Sequence, residues 1–451
     1  MVYPGRPMEH SGAAEVTPRR IFAYWLPLAA AWLMMAAEGP FLAAVIARLA
    51  DPTHNLAAYG VAVSLAILVE SPIIMVMSAA NALVRDRSSY RAMRNFTHTL
   101  NAAITLLMLI ALVPPVFGFV SSRMLGLPDE VARLAYTAVA ILVPWPGAIG
   151  FRRFYQGVLV RRGLARRVAY GTVIRLGAMA ATALALFGRP GLEGAWIGAA
   201  ALSMGVTLEA LAARAMAHRS IGELEASELA GPPLGYRAIA SFYYPLALTT
   251  ILALGVQPMV TFFMGHAPSP VESLAVLPVV GSLVFIFRAL GLAYQEVGVA
   301  LIGDDLEGYR PLRRFARGLG AAAVLCLGVI AWTPLSTVWF QQVSGLSPEL
   351  AAFAITPLRL LTVIPGLTVL LSFQRAILVN CRATSHVTWA TVIEVGGVVG
   401  ILCLGIFALH GVGLVVAAIA MVVGALGANL YLMAPVRRLR KLRRPPAASR
   451  V

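Results

Sequence analysis

"YWLPLAAAWLMMAAEGP", residues 24–40, has a counterpart in "FYYPLALTTILALGVQP", residues 242–258, and the fold turns on that match. Both are long apolar runs with a proline near the start and a second at the end. Pro27 falls on Pro245 and Pro40 on Pro258 at a constant offset of 218, which also sets Ser64 on Ser282. At an offset of 219, "YRAMRNF" (90–96) meets "YRPLRRF" (309–315), "MLGLPDE" (124–130) meets "VSGLSPE" (343–349), and Pro146-Gly147 meets Pro365-Gly366. Matches in the same order along the chain make two parallel repeats, related in a membrane by an axis along its normal.

The chain is 59% hydrophobic and only 12% charged, with mean hydropathy +0.80. A soluble domain carries about a quarter charged residues. Apolar runs of membrane-spanning length recur throughout, near 22–48, 56–84, 93–120, 130–149, 165–188, 193–217, 238–264, 271–300, 316–340, 350–371, 386–409 and 411–434. The fold class expected is therefore an all-α polytopic membrane protein, twelve transmembrane helices in two pseudo-symmetric six-helix lobes. The N-terminal lobe takes 1–219 and the C-terminal lobe 238–435. The polar linker "SIGELEASELAGPPLGYR" (220–237) joins them, and a basic tail follows at 436–451.

The net charge of +16 comes almost wholly from arginine. The one lysine, Lys441, lies in the tail, which excludes a Lys-Ser/Thr phosphate-binding loop. With the N-terminus inside, 29 of the 36 basic residues fall in inner segments, including Arg152, Arg153, Arg375 and Arg382; the outer loops hold only Arg48, Arg123 and Arg189. This asymmetry places both termini in the cytoplasm and accounts for the basic balance without a nucleic-acid partner. Arg19-Arg20 reads as the inner anchor of an uncleaved first helix. Three scattered cysteines give no disulfide framework. Seven scattered histidines give no zinc spacing, and no nucleophile elbow occurs, so neither metal, cofactor nor enzymatic activity is expected.

Charges inside the spans carry the functional signal. These are Glu38, Glu70, Arg175, Arg288, Glu296, Arg359 and Glu394, with Gln257 at the second-repeat kink that matches Glu38-Gly39-Pro40. A charge at a helix centre costs about 2.5–3.5 kcal/mol on insertion scales, so each needs a partner or a wet cavity. One reading lines a substrate path with them; the other makes them ion pairs that fix helices together. Arg133 and Glu209 fall near span ends, where a long side chain reaches the headgroups. The repeat sets Glu70 on Arg288 and Arg175 on Glu394, opposite charges at related places. Such pairs are expected to meet across a central cleft if their helices reach the axis. The two matched proline kinks set polar groups where freed carbonyls find water or neighbours.

Two six-helix halves with this loop pattern resemble the MATE-like flippases of the MOP superfamily. On "AAYGVAVSL" (57–65), "SFYYPLAL" (241–248), "TPLRLLTVIP" (356–365) and "HGVGL" (410–414) the chain resembles the progressive ankylosis (ANKH) family more closely. The resemblance implies a secondary exporter of small anions such as pyrophosphate, nucleotide phosphates or citrate. Glu38, Arg359 and Glu296, in "AYQEVG" (293–298), lie in matching stretches; Glu70, Arg175 and Glu394 depart from the animal pattern. Arginine-rich, lysine-poor usage points to a bacterial inner membrane.

The function expected is alternating-access transport of a small anion between the lobes. Arg288, Arg359 and Arg175 would bind it through bidentate guanidinium contacts, with Gln257 and Glu38 beside them. Glu70, Glu296 and Glu394 would gate the site or carry protons or Na⁺. The alternatives are a lipid-linked sugar flippase, a cation antiporter, or a membrane scaffold with a dry lobe interface.

Overall fold

The computed structural model describes residues 16–228, 234–303, 306–381 and 383–442. Arg6, Arg382, Arg443, Arg444 and Arg450 of the basic inventory lie outside them. Every span is helical. In chain order these are α1 (Pro18–Ala47), α2 (Pro52–Leu83), α3 (Arg87–Ala111 with Pro114–Met124), α4 (Asp129–Arg161), α5 (Arg166–Leu186), α6 (Gly194–Met216), α7 (Tyr236–Gly265), α8 (Pro270–Leu301), α9 (Tyr309–Trp332), α10 (Pro348–Asn380), α11 (Thr384–Ala408) and α12 (Gly413–Lys441). Eleven are single helices long and apolar enough to cross a bilayer; α3 is bent by 73° at its break. A short helix, His218–Ala226, occupies the start of the linker.

The repeat is visible in backbone detail. α2 and α8 both begin with a proline behind a left-handed residue, Asp51 (φ 46°) and Ser269 (φ 52°). α3 ends in, and α9 is followed by, a wide helical turn, Phe119–Met124 and Val338–Val343, closed by left-handed Gly126 and Gly345. Within each lobe the fifth and sixth helices pack through glycine onto a carbonyl. A Cβ on Gly205 would lie 3.1 Å from the Arg175 oxygen, and one on Gly424 2.6 Å from the Glu394 oxygen. Small residues permit such close helix approach where lipid offers no hydrophobic drive.

α1 and α7 each break just ahead of their second proline, after Ala36 and Leu254. Each also reaches toward the other lobe. Trp25 Nε1 of α1 donates to the Leu290 carbonyl of α8 at 3.1 Å, and the Tyr243 hydroxyl of α7 donates to the Pro72 carbonyl of α2. At the break, a Cβ on Gly39 would come within 2.8 Å of Ser282 Cβ on α8, so glycine is what lets α1 lie against α8 there.

Several span boundaries differ from those expected, and two of the differences bear on the site. The fourth and tenth spans, expected to end at 149 and 371, run on to Arg161 and Asn380. Arg152, Arg153 and Arg375 are therefore helix residues and not loop residues. Hydropathy drops at these guanidiniums, but the helix continues because they turn into the lobe, where carboxylates meet them.

Candidate functional site: two charge clusters, one in each lobe

The N-terminal lobe gathers its charge around Glu209 of α6. Arg152 on α4 pairs with Glu209 Oε2, Arg175 on α5 approaches the same oxygen at 3.4 Å, and Gln156 Nε2 donates to Oε1 at 3.1 Å. Arg152 and Gln156 are one helical turn apart and so share a face of α4. Arg175 also pairs with Glu38 at the α1 break. Its Nε has no aligned hydrogen bond, so both its contacts act through charge. Glu70 on α2 is buried in the field of Arg152, Arg153 and Arg175, and its Oε2 has no hydrogen-bond partner among the described residues. Three guanidiniums thus face three carboxylates.

The C-terminal lobe repeats the layout with fewer charges. On α10, Gln374 Nε2 donates to the Asn429 carbonyl of α12 at 3.2 Å, a neutral contact between the helices that correspond to α4 and α6. Arg375 approaches Glu394 of α11 at 3.6 Å and donates to Thr391 Oγ1 at 3.3 Å. Arg288 of α8 lies in the field of Glu394 and Arg375. Its Nε is buried with no hydrogen-bond partner, and it makes no ion pair among the described residues. Two guanidiniums here share one carboxylate.

Several residues stand elsewhere than the sequence suggested. Glu209 does not snorkel: it is 1% exposed and the hub of its lobe, because α4 and α5 direct donors at it. Arg133 is surface-exposed beside Glu130. Glu70 does not pair with Arg288, nor Arg175 with Glu394; each lobe meets its charges within its own six helices. Arg359 is exposed and joins neither cluster. Its Nε donates to the Ala331 carbonyl at 3.2 Å and its guanidinium lies 5.0 Å over the Trp332 ring, so it caps the end of α9. Glu296 is exposed on α8 beside Trp32 of α1, 3.5 Å from its Nε1. Gln257 is exposed at the α7 break.

Arg152, Arg153, Glu209 and Arg375 were the members that sequence reasoning missed. The turn-spaced Arg152 and Gln156 were the available signal. A helical face with two long polar donors needs an acceptor in an apolar span.

The lobes touch near the basic ends, where Trp25 meets Phe315 and Phe96 meets Tyr236, and also at the ends remote from the basic segments. A Cβ on Gly60 of α2 would sit 3.5 Å from the Leu274 carbonyl of α8. Arg48, just beyond α1, reaches the other lobe and donates through Nη2 to the carbonyls of Gln342 at 2.6 Å and Val343 at 2.9 Å. At the basic end the last turns of α2, Val76–Leu83, pack on α4 of their own lobe.

This architecture is that of MATE and MOP-superfamily transporters. An inward-facing multidrug resistance MATE transporter superimposes with a TM-score of 0.71 at 16% identity, over 93% of this chain and 99% of that one. The lipid II flippase MurJ, in an inward closed conformation, gives 0.70 at 12% identity, over 93% and 90%. A MOP-superfamily transporter from Pyrococcus furiosus, described as having a binding pocket of reversed polarity, gives 0.67 at 16% identity, over 95% and 97%. No family model matches the sequence, and no curated protein is similar to it. The chain is a multi-pass membrane protein with the two-lobed MATE-like fold.

Proposed function

We propose that this protein is a secondary transporter of a small anion, worked by rocking of the two lobes about the space between their charge clusters. The carrying observation is the surplus of positive charge in the C-terminal lobe. Arg288 sits at membrane depth with no ion pair among the described residues, beside an Arg375 that shares the one carboxylate Glu394. A guanidinium in that state is costly unless a ligand completes it, and its planar fork suits carboxylate and phosphate. Arg375 joins Arg288 as the proposed anion contact. Arg175, held by Glu38 and Glu209, serves as a positioning residue, and Arg359 leaves the site for its capping role.

The likeness to the ANKH family supports citrate, pyrophosphate or nucleotide phosphates as the class. The distribution of arginine supports an inner membrane with both termini in the cytoplasm. Glu70, with a buried unpartnered carboxylate oxygen, is the group best placed to carry a coupling proton. A second reading, a flippase for lipid-linked sugars, draws on the fold likeness to MurJ.

The test is uptake into proteoliposomes of labelled citrate, pyrophosphate and nucleotide phosphates, beside an organic cation and a lipid-linked sugar, with and without proton and Na⁺ gradients. Saturable anion uptake is expected, with Arg288→Gln raising KM tenfold or more and Arg288→Lys rescuing only part. Uptake of the cation alone, or an unchanged KM in both well-folded variants, overturns the reading.

A further inference from the structure

A groove of about 830 Å³ opens on the flank of the C-terminal lobe, between α9, α10 and the end of α12, and shares only Gln374 with the site residues described above. Glycines form its floor. A Cβ on Gly366 would lie 2.7 Å from Val324 Cγ2, so a larger residue there would push α10 off α9. One end of the groove is basic, with Arg313 and Arg317 a turn apart on α9 and Arg437 and Arg440 a turn apart on α12. The other end is apolar, and its Leu325 is 68% exposed on a spanning helix, which means contact with hydrocarbon. No acidic residue lines the groove, and none of the four arginines makes an ion pair among the described residues. Arg440 lies 5.0 Å over the Tyr309 ring, which holds one guanidinium at the rim.

We infer that this groove binds one anionic glycerophospholipid of the surrounding bilayer. Its phosphate and headgroup would rest among the four arginines, and an acyl chain would run along Leu325 and Leu370. Three observations select this occupant. Four guanidiniums without carboxylates complement a phosphodiester. The polar end lies at the basic, headgroup end of the spans and the apolar end at bilayer depth, the order in which a phospholipid presents its parts. Residues 443–451 carry three arginines and no acidic side chain, so they are no match for four guanidiniums. The N-terminal lobe has its linker helix His218–Ala226 packed against α3 at the related place, and that helix carries Glu223 and Glu225. The C-terminal lobe thus takes from the membrane what its twin takes from its own chain. Gln374 lines the groove and also holds α10 to α12, so an occupied groove braces that lobe.

The test is lipid retention and melting of the full-length protein in detergent. Phosphatidylglycerol, phosphatidylcholine, glycerol phosphate and inorganic phosphate are added in turn. Phosphatidylglycerol alone is expected to raise the melting temperature, and native mass spectrometry is expected to find it retained in preference to phosphatidylcholine. Arg313→Gln with Arg317→Gln should abolish that preference. Gly320→Leu, which leaves every arginine and fills the groove, should lower retention of both lipids; this second variant keeps the test decisive if the first fails to fold. Equal retention of the two lipids, retention unchanged in both variants, full stabilisation by a soluble phosphate, or a lipid-linked sugar as the retained molecule would each overturn the proposal.

Discussion

Glu209, 1% exposed, accepts from Gln156 and faces both Arg152 and Arg175, all of them buried. Removing one partner of a buried ion pair leaves the other charge uncompensated, at a cost of about 3–5 kcal/mol, whereas replacing both members is far milder. The C-terminal lobe has no ion pair between the corresponding helices among the described residues; there Gln374 Nε2 donates to the main-chain carbonyl of Asn429. Glu209→Asn alone and Arg152→Gln alone are therefore each expected to lower the melting temperature strongly. The double substitution Arg152→Gln with Glu209→Asn should melt closer to the unsubstituted protein than either single one. Thermal melts of the four proteins in one detergent measure this. Strictly additive losses would mean that Arg152 and Glu209 do not depend on each other. A neutral variant that still transports would also place the pair in the scaffold, leaving substrate contact to Arg288 and Arg375.

At the scale of elements, the break in α1 has three residues with three jobs. Glu38 meets Arg175, Gly39 lets α8 approach, and Pro40 withholds the amide that would have continued the helix ladder. Gly39→Ala sets a Cβ 2.8 Å from Ser282 Cβ, an overpacking that costs about 1–3 kcal/mol. Adding Ser282→Gly removes the atom it strikes and should restore most of the melting temperature. If Gly39→Ala is harmless by itself, α1 does not lie on α8 as described. The break was legible in the sequence because proline and glycine act on their own backbone. So were the repeat and the spans, which depend on local hydropathy and turn residues. Glu209, Arg152 and Arg375 were not, because a hydropathy window places a charge at a span's end whether it faces lipid, headgroup or the lobe interior. The distinction is made by the other helices that pack against them, α4 and α5 for Glu209 and α11 for Arg375. The opposite charges at repeat-related positions were legible too, but their partners were not. On the proposed rocking of the lobes, a pair across the cleft would break each time they part, exposing two charges to a changing medium. Pairs within a lobe would survive that motion, and the clusters follow that arrangement.

For the molecule as a whole, Arg48 is a side chain that crosses between the lobes at the end away from the basic segments. Its two hydrogen bonds to the carbonyls of Gln342 and Val343 tie the end of α1 to the turn before α10, while its Nη1 is anchored to the Ala44 carbonyl of its own helix. The approaches of Gly265 to the Leu125 carbonyl and of Gly60 to the Leu274 carbonyl at that end are steric and supply no bond to replace them. A hydrogen bond from a charged donor contributes about 1.5–3 kcal/mol when shielded and less when exposed, as Arg48 is. Every 1.4 kcal/mol is about tenfold in an equilibrium between two states. A two-state transporter latched here should respond to loss of the latch by populating the state open at this end, since only that state gains from its absence. Arg48→Ala is therefore expected to raise that population about tenfold. A cysteine at Ser122, on a background with Cys326, Cys381 and Cys403 replaced, should then react faster with an impermeant reagent applied to that side. A control cysteine at Arg313, at the basic end, should react more slowly from its own side or not change. Arg48→Lys keeps a charge but cannot reach two carbonyls with one planar group, so it should fall between. If neither labelling rate moves, the latch is held by the packing of Gly265 and Leu125, and Arg48 merely covers it.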